Sequence, residues 1–472
     1  MSKNWKNAVG YFRSVKKPEE QCPGELKISH RHILLNLFGI LHYEVNDPLG
    51  INRSAGPEII GDTNKGRVLL SYSRGSSVSF GLINGTKSST EYFGLAIVSE
   101  NGFASIEKVG FDSISFRING LADFVGKSNL NATLVRNEEG KVVSMSQIAD
   151  LNTDLLGVYE TNEYYIKFIP TYKQSISLTA VNDKRSAPIE EVIYIEVSRK
   201  TGDISVDETI ELINSFRNFI AYSLRLAVNI ISVRGFNTYG NKSDTKDILE
   251  TRLYWEGMRK LRYKSSRDRF SRLCTLQDFA EDFGVKFQKW LEVQKKHKTL
   301  YDNLISNLYA RQQFIENKIL SYFTAIESYV TETMSGNIVK ERNERNVRSI
   351  EEVKSAIQVM PDSEIKSYIL EQLGYFKEDV SAAEKLQLLY DMLPNSLKQR
   401  ITFEDLDLAK RLRNKIVHGD KYDTLLIDGQ SKGIINTMRV LGEFCLLKEL
   451  VVSESKVEEI LGRIIDYQKN WT

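Results

Sequence analysis

The run Arg411-Leu412-Arg413-Asn414-Lys415-Ile416-Val417-His418-Gly419-Asp420 concentrates the side chains most able to do chemistry in this chain. A histidine exchanges protons near neutral pH. An arginine offers a planar, forked cation suited to phosphate oxygens. At about 100° per residue, Ala409, Leu412 and Ile416 fall on one apolar stripe. Asn414 and His418 lie one turn apart on the opposite side, with Arg411 close beside them. Arg413 sits at the flank, where its long side chain can swing to either face. Gly419 is a natural residue to stop the helix. The pattern therefore presents an Arg/Asn/His cluster at the end of a buried helix. A plainer reading competes with it: cations in a last turn complement the helix dipole, and a glycine stop is common.

Arg413-Asn414 followed after three residues by His418-Gly419 resembles the signature of the HEPN superfamily, an Arg and a polar residue, a few variable positions, then His. The segment from Leu300 to about Leu461 supplies enough predicted helices for that family's small bundle. The wider layout, a β front before this bundle, resembles the ApeA-like bacterial anti-phage proteins. The resemblance implies metal-independent RNA cleavage: the RNA 2′-OH attacks the adjacent phosphorus, giving a 2′,3′-cyclic phosphate and a 5′-hydroxyl. That reaction needs a base, an acid and cationic stabilisation of the phosphorane. Arg413, His418 and Asn414 are the catalytic candidates, and no cofactor or metal is called for. One chain supplies one such His, so the resemblance implies a homodimer or higher oligomer with paired motifs. It also implies an RNA substrate, with transfer RNA among the candidates, and a phage protein as activator.

Two supporting residues follow. Glu327 lies in the apolar helical stretch Tyr322-Phe323-Thr324-Ala325-Ile326-Glu327-Ser328-Tyr329. A buried carboxylate needs a cationic partner. The resemblance packs an early bundle helix against the motif helix, so Glu327 is a candidate to orient Arg413 or Arg411. The alternative is an ordinary exposed helix charge.

Basic residues cluster elsewhere. Between Arg252 and Arg272 stand eight Lys/Arg against Glu256 and Asp268, interleaved with Tyr254, Trp255, Tyr263 and Phe270. Cations beside stackable aromatics suit single-stranded RNA, which makes Arg259, Lys260, Arg262, Lys264 and Arg267 RNA-binding candidates. A solvated charged surface is the competing reading. Arg342, Arg345 and Arg348 form a smaller stripe in a polar segment that reads as an exposed extension. Gly120 to Ser128 imitates a phosphate-binding loop but has five residues between its glycines, so a strand-to-turn segment is the better reading. His30 and His32 alternate on a strand without a third metal ligand in view.

These residues need elements to position them. Short runs rich in Val, Ile, Tyr and Phe, separated by Gly, Asn, Asp and Ser, fill the first two hundred positions. Ser113-Ile114-Ser115-Phe116-Arg117-Ile118 alternates like a half-exposed antiparallel strand. From Val206 the apolar spacing turns helical, with Asp207 as the expected N-cap. The expected fold is an N-terminal antiparallel β-sandwich or jelly-roll-like domain followed by an all-α HEPN bundle. The expected division is a β-rich sensor over 1–205, a helical linker with the basic run over 206–299, and the ribonuclease domain over 300–472.

The 472 residues, 41% of them hydrophobic, can bury two or three cores. A net charge of +2 makes any nucleic-acid signal local rather than global. Three scattered cysteines form neither a metal-binding spacing nor a disulfide framework. No apolar leader or bilayer-length stretch is evident, so a cytoplasmic protein without a membrane segment is expected. Two functions remain open at this point: a metal-independent endoribonuclease, and a non-catalytic HEPN scaffold that binds nucleic acid or a partner.

Overall fold

The computed structural model describes residues 7–470 except 30–31, 40, 42–57, 81–86, 100–108, 127, 129, 137–141, 150–154, 175–188, 241–245, 256–257, 259–270, 280, 311–312, 334–336, 375–380 and 419–429. The chain divides into two compact units: residues 1–267 with 274–285, and residues 268–273 with 286–472.

The first unit is built on strands β1 Ala8–Ser14, β2 Lys17–Ile28, β3 Ile33–Leu37, β4 Ile59–Thr63, β5 Gly66–Phe80, β6 Lys87–Ser99, β7 Gly110–Phe111, β8 Ser113–Ile118, β9 Leu130–Arg136, β10 Val142–Ala149, β11 Gly157–Glu160, β12 Tyr164–Gln174, β13 Ile189–Arg199, β14 Ile204–Ser205, β15 Ile230–Gly240 and β16 Lys246–Trp255. Twelve of them form one sheet in the order β11-β12-β13-β8-β15-β16-β6-β3-β2-β1-β4-β5. A further β5–β6 pairing closes its last six strands into an antiparallel barrel. Strand β6 serves two partners on one side: its first half, Ser89–Phe93, pairs with β3, and its second half, Leu95–Ser99, pairs with β16.

Closure removes the exposed edges of those six strands, and their inward positions make one core that includes Phe12, Leu26, Leu35, Val68, Phe93 and Val98. Gly61 is required there, because a Cβ on it would lie 2.4 Å from the Phe12 ring. The open arm of the sheet is covered by α1 (Leu121–Val125) and α2 (Val206–Leu224). In β8 the side chains of Ile114, Phe116 and Ile118 are buried, as the alternation requires, and Phe116 meets Phe216 of α2 with ring centroids 5.3 Å apart.

The β-rich front and helical rear are both present. Their details differ from expectation at several points. The segment 230–255 was expected within a helical linker; it is β15 and β16, the strands that join the open arm to the barrel. Ile230, Val233, Leu253 and Trp255 are buried there while Ile231 is exposed, and a short apolar run of this kind is hard to assign to strand or helix by periodicity alone. Helix α2 begins two residues earlier than an N-cap at Asp207 implies, because Ser205 is the N-cap and forms a reciprocal capping box with Glu208. The phosphate-loop imitation is the short helix α1, bracketed by left-handed Gly120 (φ 80°) and Gly126 (φ 65°).

The rear consists of α3 (Phe283–Lys296), α4 (Lys298–Tyr309), α5 (Ile315–Thr333), α6 (Asn337–Gln358), α7 (Glu364–Gly374), α8 (Ala382–Asp391), α9 (Asn395–Lys398), α10 (Phe403–His418), α11 (Gln430–Glu449) and α12 (Glu454–Asn470). The polar segment expected as an extension is the helix α6, with Arg345 and Arg348 exposed. Helix α5 is the hub: it packs against α4, α8, α10 and α11. Its Ile319, Tyr322, Phe323, Ala325, Ile326, Tyr329 and Val330 are buried.

Candidate active site

The motif lies on the last two turns of α10. Thr402 starts that helix: its Oγ1 accepts from the Asp405 N–H at 3.3 Å, and the Asp405 carboxylate accepts from the Thr402 N–H at 2.9 Å. Glu404 and Asp405 in the first turn and Lys415 and His418 in the last complement the dipole. Leu406, Ala409 and Leu412 are buried and Ile416 is half-buried, so the apolar stripe seats α10 against α5, α8 and α11.

That seating aims Arg413 at α5. Its guanidinium donates to Asn414 Oδ1 at 3.2 Å and stands 3.8 Å from Glu327 Oε2. The latter is a Coulomb contact rather than a hydrogen bond. The other oxygen, Glu327 Oε1, is buried and takes no hydrogen bond among the described residues. Glu327 is therefore not a freely exposed helix charge; its side chain is only 21% accessible. Arg411 goes elsewhere: it is 72% accessible and pairs with Asp407 one turn back at 2.5 Å. His418 is the last residue of α10 and is exposed. The structure thus brings Arg413, Asn414 and Glu327 together, separates Arg411 from them, and leaves the His418 ring open at the helix end. Gly419 lies outside the described residues.

Arg259, Lys260, Arg262, Lys264 and Arg267 also lie outside the described residues, as does His30. His32 is exposed. Among the described residues no three His, Cys, Asp or Glu side chains converge as a metal site, and no helix is long and apolar enough to cross a membrane. Cys22, Cys274 and Cys445 are buried and form no disulfide.

A second polar cluster escaped the sequence. His297, between α3 and α4, is fully buried. Its Nδ1 is 2.7 Å from Glu332 on α5, and its Nε2 is 3.2 Å from Glu449 on α11. The Tyr329 hydroxyl donates to Glu449 at 3.0 Å, and Lys296 donates to it at 3.2 Å. Burial pushes the Glu449 carboxyl up, but these donors and the nearby His297 outweigh it, so the group sits below the ordinary carboxylate range. Nothing in the local sequence signals this: Lys295-Lys296-His297-Lys298 reads as a solvated surface.

Comparison with known families places both halves. A model described as ApeA N-terminal domain 1 matches residues 7–290, which includes β15 and β16. A model described as Apea-like HEPN matches residues 320–456, which includes Glu327, Arg413, Asn414 and His418. Searches of curated proteins and of solved structures returned no match. With the N-terminal model covering more than half of its length and the HEPN model covering the motif, this chain belongs to the ApeA-like HEPN family.

Proposed function

We propose that this chain is a metal-independent endoribonuclease of anti-phage defence. The observation that carries the reading is the motif of α10 within the HEPN match: Arg413 held between Asn414 and Glu327, with His418 exposed at the helix end. A guanidinium in that position suits the non-bridging oxygens of a phosphorane. An accessible imidazole suits proton transfer to or from a ribose oxygen. One chain has a single such histidine, so separate acid and base roles call for two chains with their α10 ends facing one substrate. Glu327 orients Arg413, and Asn414 limits its rotation. The β-rich front binds a phage-derived protein, and that partner shifts the chain to its active arrangement by binding it more tightly than the quiet one.

The test is RNA degradation by the purified chain with EDTA present, compared between the parent and His418→Ala. Cleavage that survives the chelator and disappears in the variant fits the proposal. Cleavage abolished by EDTA would overturn the acid–base account. Binding without cleavage, in the presence of the activating partner, would leave a HEPN scaffold as the function.

A further inference from the structure

His297 has a carboxylate at each ring nitrogen, and the two come from different helices of the bundle. A neutral imidazole carries one N–H and one lone pair. With the proton on Nδ1, the Nε2 lone pair faces Glu449 at 3.2 Å; with the proton on Nε2, the lone pair faces Glu332 at 2.7 Å. Either form sets a lone pair of a fully buried ring against a carboxylate. The Glu449 contact is within ion-pair distance but off the direction of a hydrogen bond, so charge rather than alignment must hold it. The carboxylates lie at opposite ends of the ring and do not converge on a point where a metal could sit.

We propose that His297 is a doubly protonated clamp that locks α5 to α11, two of the three helices against which the motif helix α10 packs. The groups facing it are Glu332 and Tyr329 from α5 and Glu449 from α11, with Lys296 donating to Glu449. Ser328 donates to the second Glu332 oxygen at 2.7 Å and steadies that carboxylate. The Tyr329 ring stands edge-on to the imidazole with centroids 5.2 Å apart, which fills the remaining space. The clamp lies near the end of the helix that also carries Glu327, so it is a positioning device for the Arg413–Glu327 pair. That last step rests on the ribonuclease reading; the charge state and the locking of the helices do not.

The sign of the pH effect follows from proton counting. The folded chain holds a proton that the unfolded chain releases as pH rises, so the clamp stabilises at lower pH and weakens at higher pH. The test uses the full chain with ¹⁵N-labelled histidine, the His297 signals being identified by their loss in His297→Gln. Both ring nitrogens are expected to be protonated at neutral pH; an unprotonated nitrogen there overturns the proposal. Removing the buried cation leaves Glu449 and Glu332 without their shared partner, so His297→Gln is expected to lower the melting temperature at pH 6 by about 6 °C or more. The gap to the parent should shrink by about half or more at pH 9. An equal gap at both values overturns the proposal. If His297→Gln fails to fold, Glu332→Gln takes its place: the amide oxygen still accepts from Nδ1 but adds no charge, so the parent's decline in melting temperature with rising pH must flatten. No flattening overturns the clamp. None of these readouts depends on cleavage, so failure of the clamp and failure of the ribonuclease reading are separately visible.

Discussion

The difference between Arg411 and Arg413 is a matter of where each leaves the helix. Arg411 is spaced to meet Asp407 on its own helix and does so in solvent, an arrangement worth little. Arg413 is spaced to meet α5, where Glu327 offers a largely buried carboxylate. His418→Ala and Arg413→Ala are accordingly expected to abolish RNA cleavage with unchanged circular dichroism; the exposed His418 leaves melting unchanged, whereas loss of Arg413 lowers it by leaving Glu327 without its cation. Retained cleavage in either would remove that residue from the site. Arg411→Ala is expected to behave as the parent. Glu327→Gln keeps the shape but removes the charge that faces Arg413, and the resulting loss of alignment is expected to cost on the order of tenfold to a hundredfold in kcat. A Glu327→Gln variant with parental kcat would make that carboxylate a bystander.

At the scale of the element, α11 shows a local cost that the fold tolerates. It ends with the Val451 N–H bonded to Lys448 O and the Val452 N–H bonded to Leu447 O, the paired pattern that places a left-handed residue after the helix. That residue is Val451, with φ 57°, although a β-branched side chain disfavours this region. Lys286 donates to the Val451 carbonyl at 2.6 Å and helps hold the turn. Val451 is 60% exposed, so its side chain contributes little packing. Val451→Gly should therefore stabilise the chain by about 1 kcal/mol. Thermal or urea unfolding would read this directly, and a loss of stability would mean that the valine packs in a way its exposure does not reveal.

For the whole molecule, the position of β15 and β16 sets where the chain can be cut. They follow α2 in sequence but lie in the interior of the sheet between β8 and β6. A fragment starting at Val206 carries both strands away from their outer partners and exposes two unpaired edges. It is expected to aggregate, whereas the intact chain does not; a soluble, monodisperse fragment from Val206 would contradict this. Oligomeric state belongs to the same scale. If the paired-motif reading is right, cleavage per chain should fall on dilution in step with the loss of dimer in sedimentation. Full activity in a monomer would sink the paired site, and His418 would then have to serve both proton roles.

The sequence by itself determined the two-part architecture, the C-terminal end of α10 and the identity of the motif. Each rests on information local in the chain: alternation in β8, a helical apolar stripe from Leu406 to Leu412, and a short Arg/His spacing that needs no distant partner to be recognised. Glu327 was legible as a carboxylate in an apolar helix, because an ionisable group there demands a partner. Its pairing with Arg413 rather than Arg411 was decided by tertiary structure, since the choice depends on how α10 is rotated against α5. The same holds for β15 and β16, whose apolar content fits a helix as well as a strand until the neighbouring strands supply hydrogen bonds. Closure of the barrel depends on β6 meeting β5 and β3 together, which no single segment encodes. The His297 clamp is the extreme case: its carboxylates lie far along the chain on other helices, and three neighbouring lysines disguise it as surface. Burial and the meeting of distant charges arise only when the helices pack, so only the folded chain discloses them.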